Sequence, residues 1–118
     1  MRVTSEFFVA ALVRRANDAG AFAVVERRGA AEAGAIFVVV DDRSGSSMLY
    51  GPAMAGLGRE ERARDADARR FEAIDRFAPS ELRERFKREA SFDPDFWVVE
   101  VDDREGRHFL GEALVDGD

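Results

Sequence analysis

The 118-residue sequence contains no cysteine, which excludes disulfides, thiolate metal sites and cysteine nucleophiles. It has one histidine, His108, so the two-histidine zinc motifs are also excluded. Lysine is nearly absent: of 18 basic residues only Lys87 is not arginine. No apolar run is long enough for a bilayer. The longest, Ala35 to Val40, is far short of the ~20 residues a spanning helix needs. Glu6 interrupts the N-terminus before a signal-peptide core could form, which favours the cytoplasm. No Gly-x-Ser-x-Gly elbow surrounds Ser44, Ser46 or Ser47. Gly51-Pro-Ala-Met-Ala-Gly56-Leu57-Gly58 has P-loop glycine spacing, but Leu57 replaces the phosphate-binding lysine.

What is present suits one small domain spanning 1–118. The chain is 46% hydrophobic with ten Phe, enough for a core without staples. Net charge is −6 and unevenly spread, with the acidic excess in residues 93–118. A nucleic-acid binder shows a basic face, so this pattern argues against one. The abundance of Arg, Ala, Gly and Asp fits GC-rich coding before it fits an arginine-based surface.

Hydrophobic periodicity predicts the elements. Thr4 or Ser5 caps a helix from about Ser5 to Ala19, with Phe8, Ala11, Leu12 and Arg15 on one side and Gly20 as the stop. Ala21 to Arg28 follows as a strand. Ala35 to Val40, a continuous β-branched and aromatic run, is the pattern of a strand buried on both faces. Met48 to Tyr50 is a short third strand. Short links predict an antiparallel meander of these three. Segment 53–70 is dominated by charge and predicts a mobile loop or exposed helix. Phe71 to Phe77 fits either a short helix or an edge strand. Pro79 and Ser80 open a second helix that ends before Phe92. Phe96 to Val101 is a strand, and a turn at Asp103 to Gly106 leads to a hairpin partner, His108 to Leu110. The fold class is therefore α+β: an N-terminal helix, an antiparallel sheet of four to six strands, a second helix between meander and hairpin, and both helices on one face. An exposed sheet edge near Met48–Tyr50 predicts a homodimer.

Three stretches carry a family resemblance: Phe7 to Arg15; Gly20 to Gly29 with Ala33 to Val38; and Phe92-Asp-Pro-Asp-Phe-Trp-Val-Val-Glu-Val101. The chain resembles a family of short bacterial proteins known only as domain of unknown function DUF1491. The resemblance spans nearly the whole chain. It implies a small stand-alone protein and no particular activity.

Four groups of residues are chemically suggestive. Asp93, Asp95, Glu100, Asp102 and Asp103 supply the carboxylate oxygens that hard cations need, and Glu100 and Asp102 share a strand face roughly 7 Å apart. The pattern is similar to that of metal-dependent nucleases, except that Asp102 stands where a lysine is required. The simpler reading is an Asx turn at Asp93-Pro94-Asp95 and a solvated hairpin. His108 is a general-base candidate if Glu100 or Asp103 orients it. Arg14 and Arg15 suit the end of the first helix, and with Arg27 and Arg28 would make an anion pocket. Trp97, or an exposed aromatic at Phe71 or Phe77, would mark a partner surface, although a strand tryptophan is normally core.

The leading expectation is a non-catalytic interaction or regulatory protein of the cytoplasm, with a protein partner or a second copy of itself. It needs no cofactor. The alternatives are a metal-dependent or acid–base enzyme centred on Asp93, Asp95, Glu100 and His108, and an anion or nucleotide binder using the four arginines.

Overall fold

A computed structural model describes residues 3–53 and 70–115. Helix α1, Ser5–Asp18, begins where Thr4 Oγ1 accepts from the Phe7 N–H at 3.1 Å. It ends at Gly20, whose φ of +94° is easy only for glycine. Its buried line is Val9, Leu12 and Ala16, with Phe8 and Val13 on the flanks.

Five strands follow: β1 Phe22–Arg27, β2 Ala35–Asp41, β3 Ser47–Pro52, β4 Phe71–Phe77 and, after helix α2 (Pro79–Phe92), β5 Phe96–Asp102. A short 3-10 turn at Gly111–Ala113 closes the described chain. Phe71–Phe77, open between two readings, is a strand at the sheet's edge.

The α+β class, the element order and the strand number match the sequence-based expectation; the pairing does not. The sheet order is β1-β5-β2-β3-β4. The meander is β2-β3-β4, while β5 inserts between β1 and β2 and runs parallel to β2. The sheet is thus mixed. Strand β3 is interior, which removes the expected exposed edge at Met48–Tyr50. The C-terminal hairpin is also absent. Both edges of β5 are occupied by β1 and β2, so His108–Leu110 has no free backbone to pair with.

The helices lie on opposite faces. Ile36, Val38 and Val40 join Val9, Leu12, Trp97, Val99 and Val101 under α1. Phe37 and Val39 join Leu49, Phe96 and Val98 under Leu82, Phe86 and Ala90 of α2. The reason is the same apolar run that marked β2 as buried: alternate side chains project to opposite faces, and each face needs a cover. One helix layer could not bury both. Of the segment 53–70, residues 54–69 lie outside the described residues; at its ends, the Ala53 N–H donates to the Arg70 carbonyl at 3.0 Å.

Candidate functional site

Apart from Glu100 and Asp102, the suggestive residues do not converge. Asp93 Oδ1 accepts from the Asp95 N–H at 3.0 Å, the Asx turn expected of Asp93-Pro94-Asp95. Asp95 Oδ1 in turn accepts from the Ala30 N–H at 2.6 Å, fastening the loop between β1 and β2. Trp97 fastens the same loop from beneath: it is 1% exposed, and its Nε1 donates to the Ala30 carbonyl at 2.9 Å. It is a core residue with a satisfied polar tip. Gly29 is where this packing leaves no room, since a Cβ there would stand 2.7 Å from Trp97 Cδ1.

His108 and the two carboxylates proposed to orient it are separated. Its ring packs against Tyr50, 5.2 Å between centroids, on the α1 side. Glu100 alternates with Val99 and Val101 and so faces the other side. Asp103, only 7% exposed, is taken by Arg107: its Oδ2 accepts from Nε at 2.8 Å and from the backbone N–H at 2.9 Å. Arg107 holds its carboxyl below the usual range. His108 Nδ1 accepts from the Leu110 N–H at 2.9 Å, and burial lowers the ring's affinity for a proton. The imidazole is therefore a neutral, structural group.

The four arginines are likewise dispersed. Arg14 lies 3.9 Å from Asp18 one turn on. Arg15 reaches across to the Phe109 carbonyl, with Nη2 at 2.8 Å. Arg27 lies over the Phe96 ring and donates to the Pro94 carbonyl at 2.7 Å, on the α2 side. Arg28 lies over Trp97 and pairs with Glu6, on the α1 side. Arg15, Arg27 and Arg28 each tie two separate segments together, Arg14 reaches only one turn along its own helix, and Arg27 and Arg28 lie on opposite faces of the sheet. Of the serines, Ser44 and Ser46 accept hydrogen bonds from Arg76, and Ser47 is buried. The P-loop-like stretch lies outside the described residues beyond Ala53. Among the described residues, no group of three or more His, Asp or Glu side chains has a metal-holding arrangement.

One surface does gather. Strand pairing places Phe22 opposite Asp102, Val24 opposite Glu100, and Asp41 opposite Asp102. These side chains share the α2 side of the sheet, at the end α2 does not reach. Phe22 is 63% exposed there. Glu26 joins them because the β1 register shifts between Val25 and Arg27, a bulge that gives the strand an extra residue. Burial pushes the Glu100 carboxyl up, and Glu26, Asp41 and Asp102 push it the same way, Glu26 by a hydrogen bond as well. Arg43, at φ 67°, answers part of this charge: its Nε donates to Asp102 Oδ1 at 2.9 Å and its N–H to Asp41 Oδ1 at 2.8 Å. Glu100 and Asp102 were visible as candidates on the strand pattern. Glu26, Asp41 and Phe22 were not, because cross-strand register and the bulge bring them there.

Fold and surface together define a small mixed-sheet α+β protein with no assembled catalytic constellation among the described residues and one exposed aromatic and acidic sheet face. The chain belongs to the family described as "Protein of unknown function (DUF1491)", whose model matches residues 3–111. It is similar to a DUF1491 family protein from Caulobacter crescentus CB15 solved by crystallography, with 38% identity, TM-score 0.76, and coverage of 98% of this chain and 100% of the other. A protein of A. tumefaciens solved in solution is 42% identical, with TM-score 0.78 and coverage of 100% and 98%. The NMR structure of a DUF1491 family protein from Caulobacter crescentus CB15 gives 41%, 0.75, and 98% and 99%. No curated protein matches the chain.

Proposed function

We propose that this protein is a non-catalytic interaction module of a bacterial cytoplasm that binds another protein through the exposed end of the β1-β5-β2 face. The observation that carries this reading is the contrast between two sets of polar groups. Asp95, Asp103, Arg15, Arg28 and His108 are each spent on holding a loop or the C-terminal segment. The carboxylates around Phe22 hold up no loop, apart from the Arg43 contacts, and lie beside a large exposed apolar side chain. Lack of cysteine suits a reducing compartment, and no described helix is long and apolar enough to cross a membrane.

A photo-crosslinking residue placed at position 22 in the organism that encodes the protein tests this. The expected result is a discrete adduct with another protein, absent when the crosslinker is placed at Phe92, a 91% exposed residue at the end of α2. Equal labelling from both positions, or none from position 22, overturns it. Thermal melts in Mg²⁺, Mn²⁺, Ca²⁺, phosphate and nucleotides complete the test: the midpoint stays unchanged, whereas a saturable rise with any of them favours an enzyme or anion binder.

A further inference from the structure

We propose that the occupant of this face is an extended basic segment of a partner protein, its apolar side chains seated on Phe22 and Val24 and its lysine or arginine groups on Glu26 and Glu100. The inference rests on the interaction-module reading and names the partner's chemistry. Three observations lead to it.

Among the described residues, the face is uncovered at a defined place. Leu82, Phe86 and Ala90 of α2 cover Phe37, Phe96 and Val98. Beyond Val98 the side chains on that face are Glu100 and Asp102, with Val24 and Phe22 beside them on β1. Exposure rises along this line to Phe22 at its end.

The charge there is of one sign and only half answered. Arg43 serves Asp102 and Asp41. Glu26 and Glu100 are left against each other. Once Glu100 loses its proton, the two like charges repel at this partly desolvated site by several times what they would in water. A partner's cation removes that repulsion, while its aliphatic stem covers the neighbouring apolar surface.

The same features disfavour a second copy of this chain. Two such faces apposed would bring carboxylates onto carboxylates in a protein already at net −6. Edge-to-edge pairing through β1 is blocked, because the Asn17 side chain already binds the Ala23 N–H and carbonyl and the bulge follows at Glu26. A divalent cation is disfavoured because, among the described residues, no three carboxylate or imidazole side chains stand close enough together to hold one.

The test uses the full chain, labelled with ¹⁵N, and three soluble peptides: alternating Lys and Val, alternating Gln and Val, and alternating Glu and Val. The Lys/Val peptide should shift amides of residues 22–26 and 100–102 and saturate, with binding weakening as salt is raised. The other two should leave these amides in place. Phe22→Ser and the double variant Glu26→Gln with Glu100→Gln should each weaken Lys/Val binding about tenfold or more, with the amide spectrum showing the fold intact. Several results overturn the proposal: equal binding of the Gln/Val peptide, shifts mapping to another face, or no binding of the Lys/Val peptide. Shifts of the same amides with protein concentration alone overturn it in favour of a second copy, and shifts with Mg²⁺ or Ca²⁺ alone in favour of a cation. In each case a position-22 adduct in cells leaves the interaction module standing with a different partner chemistry. Loss of that adduct removes the broader reading.

Discussion

Asn17, in the last turn of α1, holds Ala23 of β1 by both of its backbone groups: Oδ1 accepts from the Ala23 N–H at 2.9 Å, and Nδ2 donates to the Ala23 carbonyl at 3.3 Å. One side-chain amide thus imitates the neighbouring strand that β1 lacks. It satisfies both backbone groups of Ala23 on that edge strand and ties the end of the helix to the sheet in a single contact.

Removing that amide should both loosen the helix and uncover the edge. Asn17→Ala leaves two part-buried backbone groups unpaired, which costs about 1–2 kcal/mol. Chemical denaturation should read a lower midpoint. Light scattering should read concentration-dependent association, since a bare edge recruits other strands. Asn17→Asp keeps the acceptor for the Ala23 N–H and loses the donor, so it should fall between the two. An unchanged midpoint for Asn17→Ala would remove the strand-mimic role.

The loop between β1 and β2 has a fixed shape that a side chain at Gly34 would break. Its φ is +104°, and a Cβ there would meet the Asp95 carbonyl oxygen at 3.2 Å. Gly34→Ala should cost about 1–3 kcal/mol, the usual range for a non-glycine residue forced into that region. Tryptophan fluorescence should change in parallel, because Trp97 Nε1 donates to Ala30 of this loop. A variant as stable as the parent would show that the loop can readily take another course.

Ionised Glu100 should weaken the fold. Folding raises its pKa above the ordinary 4.5, so the folded chain binds the proton more tightly than the unfolded one. The stability this group contributes is complete below 4.5 and is lost as the pH rises through the folded value toward neutrality. Glu100→Gln keeps the neutral form at every pH. Its melting temperature at neutral pH should therefore exceed the parent's, with the gain vanishing below pH 4.5. A variant less stable than the parent at neutral pH contradicts the crowding by Glu26, Asp41 and Asp102.

His108 works in the opposite sense. Burial lowers its pKa below 6.5, so the unfolded chain binds more protons in mild acid. Its contribution is complete above pH 6.5 and is lost as the pH falls through the folded value, where protonation also abolishes the Nδ1 acceptor for the Leu110 N–H. His108→Asn, which can present an acceptor without titrating, should flatten that part of the stability profile. The comparison is best made in the Glu100→Gln background, where the opposing carboxyl slope is gone. A profile unchanged by His108→Asn would show that the ring titrates alike in folded and unfolded chains.

Some of this molecule is readable one residue at a time. Thr4 as cap, Gly20 as stop, Pro79 at the head of α2 and the Asx turn at Asp93 are local events, decided within a few residues of chain. So is the double burial of β2, because a run without polar interruption has no wet face. Family membership was legible for the same reason, since it rests on residue order in three stretches.

The arrangement of those pieces was decided by tertiary structure alone. Short links made an antiparallel meander the natural reading for the first three strands, yet β5, far along the chain, offers β1 and β2 partners on both of its edges. That insertion dismissed the hairpin at His108, the pairing of β4 on the outer edge of β3 made β3 interior, and the doubly apolar sheet took one helix on each face. The insertion also scattered the arginines and gathered Glu26, Asp41, Glu100 and Asp102 around Phe22. Local propensity acts over a few residues and is written in their order. Strand pairing joins residues whose separation in the chain bears no relation to their fit, and only the folded packing chooses among the pairings that the same side chains permit.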